Sequence, residues 1–184
     1  MNAIALRSPD SRIVGRSREI AAAVTLPVAA AALVAPGTAP LSPRGSAAVS
    51  TACVALATRM ALIPFIAAPA DRTPSGVRPF DPFRDPTPLA LQGAGPTPDR
   101  DRIRTAGDRC VGLWQDWRVG GCPEDERLGV AGALALGAWC SWALGSPERS
   151  RTRARHALDA VPEDALAGLV LRSVRARTAP AWWG

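Results

Sequence analysis

The chain has 184 residues, 47% of them hydrophobic, with 22 basic against 16 acidic side chains and a formal charge of +6. That length holds one ordinary domain with a tail, or a small domain behind an irregular leader. Every basic residue is arginine and lysine is absent. This composition-wide bias means that arginine identity alone does not select phosphate recognition. Charge is uneven along the chain, with the middle helices acidic and the last two, which hold seven of the arginines, basic. It therefore argues either for an internal match within one module or for a basic outer face.

Near the N-terminus, Arg7, Arg12, Arg16 and Arg18 precede an uncharged run from Ile20 to Val34. The layout has the outline of a secretory signal, but Asp10, Glu19 and Pro27 fall within it and Pro40 follows Ala39 where cleavage is expected. The expectation is a cytoplasmic protein; export or membrane association through residues 20–35 is the alternative. Ile13, Val14, Ile20, Ala21 and Val24 fall on one side of a short amphipathic helix, with Arg12, Arg16 and Glu19 opposite.

After Ser46, the residues Val49, Cys53, Leu56, Met60 and Ile63 recur at alternating intervals of four and three, a second amphipathic stripe. Arg59 inside it and Pro64 at its end are at odds with a membrane span. Nine of the 18 prolines lie between Pro64 and Pro98, so this stretch reads as an extended or disordered linker. Pro79 and Pro82 form a Pro-x-x-Pro match that a segment so rich in proline produces by chance.

From Thr97 onward four helices are punctuated. Thr97 and Pro98 open the first, whose buried stripe is Ile103, Ala106, Cys110, Leu113, Trp114 and Trp117, and Gly120 and Gly121 close it. Pro123 with Glu124, Asp125 and Glu126 opens the second. No charge occurs between Arg127 and Glu148, so Leu128 to Leu144 is apolar around its circumference and needs cover on several sides. At about 17 residues, and with Gly129, Gly132 and Gly137 inside it, this run suits a packed central helix better than a bilayer span. Gly145, Ser146 and Pro147 separate it from a third helix that buries Ser150, Ala154, Ala157, Leu158 and Val161. Pro162, Glu163 and Asp164 open the last, with Leu166, Leu169, Val170 and Val174 on its core side.

The fold class expected is all-α: a small bundle of repeat-like hairpins over residues 99–184, a Pro-rich linker over 64–98, and a largely irregular N-terminal half with short amphipathic helices over 1–63. Gly145, the small residues Ser150 and Ala154, and Ala157-Leu158-x-x-x-Pro162 resemble a tetratricopeptide repeat; one and a half such units are too few for a solenoid. The run Val111-Gly-Leu-Trp-Gln-Asp-Trp-Arg118, then Ala133-Leu-Ala-Leu-Gly-Ala-Trp-Cys-Ser-Trp142, then Arg153-Ala-Arg-His-Ala-Leu-Asp-Ala160 is similar to the C-terminal part of a family of high-GC bacteria known as domain of unknown function 4192. The resemblance covers about residues 100 to 180 and implies a helical fold without assigning catalytic residues.

Chemistry-bearing patterns are sparse. Cys53, Cys110, Cys122 and Cys140 lack the close pairing of zinc knuckles and read as buried thiols in a reducing compartment. His156, the only histidine, has just Asp159 at helical spacing and reads as a solvated surface imidazole. No cofactor, metal or catalytic residue is expected. The leading expectation is a noncatalytic helical module with an unidentified protein partner, for which Trp182 and Trp183 are candidate anchors unless they fold back on the last helix. The alternative is nucleic-acid or anionic-surface binding through Arg149, Arg151, Arg153, Arg155, Arg172, Arg175 and Arg177.

Overall fold

The computed structural model describes residues 9–69 and 72–183, with side chains from residue 13 onward. Seven α-helices and no strand occur among the described residues: α1 Pro9–Val34, α2 Pro43–Cys53, α3 Leu56–Ile66, α4 Arg100–Val119, α5 Arg127–Ala143, α6 Pro147–Ala160 and α7 Ala165–Arg175. The fold is all-α.

Local chemistry sets the helix starts. The Ser42 hydroxyl accepts from the Gly45 amide at 3.2 Å and Pro43 opens α2. Asp99, not Thr97, caps α4 by accepting from the amides of Asp101 and Arg102, and Asp164 caps α7 through Ala167. Glu124 to Glu126 form a turn ahead of α5 rather than its first turn. Gly145, at φ 75°, takes the left-handed conformation that separates α5 from α6.

The uncharged helix α5 is the centre. From Gly129 to Ala143 every residue is buried, because α2, α4, α6 and α7 surround it. Two seams bring backbones unusually close. A Cβ on Gly129 would run into the Ser50 carbonyl, and one on Gly132 into the Cys53 carbonyl, so α2 rests directly on α5. On another side, a Cβ on Gly107 would stand 2.9 Å from Cβ of Cys140 and one on Gly137 3.1 Å from Cβ of Cys110. Helix α1 lies over α2, α3 and α4 through Ala22, Leu26, Ala29, Ala30 and Leu33.

Two buried arginines tie the halves of the chain together. Arg59 of α3 donates to the Asp164 carboxylate at 2.6 Å, with both side chains buried. Arg109 of α4 donates to the carbonyls of Ala32, Leu33, Ala35, Gly37 and Ala39. Its guanidinium thereby fills the negative end of the α1 dipole, where the last carbonyls have no helical donor.

The N-terminal half departs from the sequence expectation of a largely irregular leader. A 26-residue helix replaces the short one, continuing through Pro27, and it packs in the common core. The Val49-to-Ile63 stripe is broken at Val54 and Ala55, where the chain bends by 117° between α2 and α3. The Thr58 hydroxyl holds that corner by donating to the Ala52 and Ala55 carbonyls, and Leu56 faces solvent. Pro64 sits inside α3, which runs on to Ile66. Residues expected as a loose linker pack on the helices instead, with a short 3-10 turn at Pro74–Gly76 against α1 and another at Leu89–Gln92 against α3. The Phe80 amide donates to the Ala57 carbonyl at 3.0 Å, an Arg78–Asp85 pair pins the loop, and Ala90 is buried.

The glycine seam is directly testable. Gly132→Ala is expected to cost about 1–3 kcal/mol through overpacking against the Cys53 carbonyl. Gly112→Ala, whose new Cβ meets nothing within 4 Å, is expected to stabilise α4 by about 0.5–1 kcal/mol. Urea unfolding of the two variants measures both signs.

Candidate functional site

The seven arginines of the last two helices do not form one face. At 100° per residue, Arg149 and Arg153 share one side of α6, and Arg151 and Arg155 share another. Arg151 bonds both oxygens of Glu148 at 2.7 and 2.8 Å. Arg153 turns inward: its Nη1 donates to the Ser141 hydroxyl at 2.7 Å and to the Gly137 carbonyl at 3.2 Å. Arg155, Arg172 and Arg175 are exposed, while Arg177 takes a left-handed φ of 55° where α7 ends.

Two arginines that the sequence does not single out complete a cluster. Arg100 and Arg104 of α4 face Arg149 and Arg153 of α6 across a polar cleft of about 170 Å³ that also holds Asp108 and Ser141. Arg104 pairs with Asp101 at 2.5 Å, and Arg153 stands 3.9 Å from Asp108. Each pair of arginines is spaced i, i+4, a signal the sequence carries. That the two pairs face each other depends on the α4–α5–α6 packing. On the other side of the α5–α6 turn, Arg151 and Arg177 border a groove of about 460 Å³ with Trp142, Val174 and Pro180.

The tail tryptophans fold back. The Trp183 indole donates to the Ala143 carbonyl at 2.6 Å, and the Trp182 amide donates to the Gly93 carbonyl at 3.2 Å. The tail thus lies back on the domain, Trp183 against the end of α5 and Trp182 beside Gly93, and Arg100 lies 4.3 Å over the Trp183 ring.

The titratable candidates are dispersed. Cys53, Cys110 and Cys140 are buried, whereas Cys122 is exposed in the α4–α5 turn, against the expectation of four buried thiols. Burial pushes the Cys53 and Cys140 thiols up to about 12 and Cys110 well above its usual value, which keeps all three protonated near neutral pH. His156 is half-exposed, 3.6 Å from Asp159 and stacked beside Trp114. No grouping of three His, Cys, Asp or Glu side chains able to hold a metal occurs among the described residues.

Helix α1 adds a feature of a different kind. Its buried residues lie on one side, while Ile13 is 65%, Ile20 57%, Val24 73% and Val28 42% exposed on the other. The sequence picks out this side as the helix's apolar face, but the core takes the opposite, alanine-rich one. Alanine permits the closer approach of α1 to α2, α3 and α4.

No protein-family model, no curated protein and no solved structure matches the chain.

The thiol environments predict a labelling pattern. In the folded chain one cysteine of four, Cys122, is expected to react promptly with a thiol-specific reagent at pH 8. The other three become available only on unfolding. Mass spectrometry of the labelled peptides reads this, and prompt modification of Cys53 or Cys140 would contradict the packing around α5.

Proposed function

We propose that this protein is a noncatalytic docking module that settles on anionic lipid surfaces through the exposed face of α1. The observation that carries the reading is the two-sided character of that helix. Ala22, Leu26, Ala29, Ala30 and Leu33 anchor it to the domain, and Ile13, Ile20, Val24 and Val28 point away. At 100° per residue the exposed four fall within an arc of about 80°, with Arg16 about 40° from its edge. Such a helix lies in the membrane plane: apolar side chains enter the boundary between headgroups and acyl chains, and arginines reach up to the phosphates. Each arginine contributes about 1 kcal/mol near an anionic leaflet, and the apolar side chains supply the remainder.

Residues Ile13–Val34 are long and apolar enough to cross a bilayer. Burial of one side of the helix beneath the domain favours in-plane docking over a span. The noncatalytic reading draws support from the protonated, buried thiols Cys53, Cys110 and Cys140. The likeness to domain of unknown function 4192 is kept as part of this proposal, on the motif residues of α4 to α6 alone, and supplies no chemistry. A cytoplasmic location is proposed with it, the contact being the inner leaflet.

A protein partner is the second reading, favoured by the groove that sets Trp142, Val174 and Pro180 beside Arg151 and Arg177. Mixed apolar and basic walls suit an acidic peptide segment.

Cosedimentation of the full chain with vesicles tests the lipid reading. The chain is expected to partition onto phosphatidylglycerol-containing vesicles, more weakly at high salt, and to favour them over pure phosphatidylcholine. The double variant Ile20→Asp, Val24→Asp, at two exposed positions, should keep its helical circular dichroism while partitioning falls roughly tenfold or more. Unchanged partitioning of the variant contradicts the proposal. So does a doubled mass in light scattering that the same variant halves, which would give the face to a second copy of the chain.

A further inference from the structure

The polar cleft between α4 and α6 has a charge balance that its structural role does not account for. Four guanidinium groups border it, from Arg100, Arg104, Arg149 and Arg153. Asp101 answers Arg104 and Asp108 answers Arg153, the latter at the long distance of 3.9 Å. Arg100 and Arg149 have no carboxylate within salt-bridge distance among the described residues. The cleft thus keeps about two uncompensated positive charges.

Two of these groups are held in place by the fold. Arg153 is fixed by the Ser141 hydroxyl and the Gly137 carbonyl of α5. Arg100 is braced over the Trp183 ring, whose indole is itself pinned to Ala143. Guanidinium groups held before a ligand arrives lose little rotamer freedom on binding it. Ser146 also borders the cleft as the N-cap residue of the 14-residue helix α6, and no side chain caps that helix. The positive end of α6 therefore adds to the same potential.

We infer that this cleft binds a phosphate monoester. A dianion matches the two unanswered charges, and its tetrahedral oxygens can accept from several forked donors at once. The space, about 170 Å³, suits one phosphate group rather than a polymer. A nucleic-acid backbone needs a continuous track of cations, whereas the remaining arginines, Arg151, Arg155, Arg172, Arg175 and Arg177, lie outside this cleft. The inference is independent of the α1 face, which contributes no residue to the cleft.

Titration of the full-length chain with inorganic phosphate, followed by amide NMR shifts at ionic strength matched with chloride, is the first test. Saturable shifts are expected at residues of the cleft. Arg149→Gln, an exposed arginine with no ion pair, should lower phosphate affinity about tenfold or more, and Arg100→Gln should act in the same direction. Arg175→Gln, on α7 and outside the cleft, should leave it unchanged. Glycerol 3-phosphate and phosphatidic acid in phosphatidylcholine vesicles then separate a soluble monoester from a lipid headgroup, each source required to lose binding in Arg149→Gln. The Ile20→Asp, Val24→Asp chain should bind inorganic phosphate like the unaltered one, so the cleft and the α1 face can fail separately. Phosphate shifts no larger than those from chloride, affinity unaffected by Arg149→Gln, or an equal loss in Arg175→Gln would overturn the assignment.

Discussion

The structure depends on how closely neighbouring helices approach α5. A 17-residue helix without charge beyond its first residue cannot face water on any side, and its glycines make close cover possible. Gly129 and Gly132 let the α2 backbone come within contact of α5, and Gly137 and Gly107 do the same for α4. Because α2 belongs to the N-terminal half and α4 to the C-terminal half, one helix is the shared interior of both. The Arg59–Asp164 pair reinforces that union from its edge. A buried pair of this kind stabilises little over an apolar alternative, yet losing either partner leaves the other charge stranded.

This arrangement also sorts the arginines. Arg59 and Arg109 are structural: one answers a buried carboxylate and the other spreads its donors over five carbonyls at and beyond the end of α1. Lysine has no planar fork with which to repeat the second task. Burial lowers the pKa of Arg109, and the ring of carbonyls compensates the lost water. Among the arginines left at the surface, some form ion pairs within one helix, which contribute little stability, and four border the cleft between α4 and α6, where the packing of α5 brings two helical pairs face to face.

Much of the C-terminal half was legible in the sequence. The stripe Ile103, Ala106, Cys110, Leu113, Trp114 and Trp117 is buried as its spacing requires, and Pro147 and Asp164 mark helix starts. The N-terminal half was less so, for identifiable reasons. Alanine and leucine carry the buried side of α1, while the bulkier Ile13, Ile20 and Val24 dominate any reading of periodicity although they face outward. The Val49-to-Ile63 stripe looks continuous because a bend of two residues preserves its spacing. Proline density suggested a loose linker, but Pro, Gly and Asp build turns that pack when an apolar helix such as α3 lies beneath. The α4 half of the cleft, Arg100 and Arg104, could be seen as a pair but not as a partner of Arg149 and Arg153. Nothing in a linear sequence states which helices face each other.

Both proposed surfaces follow from the same packing: α1 has a free apolar side because alanines occupy its core side, and the cleft exists because α4 and α6 flank α5. Native-state hydrogen exchange in rising denaturant tests that common origin most directly. If α5 is the interior of one cooperative unit, amides of α2, α4 and α5 will converge on a single opening free energy. Amides of α4 to α7 that stay protected after α2 and α3 exchange freely would mean that the halves fold separately, and a shared interior around α5 would be contradicted.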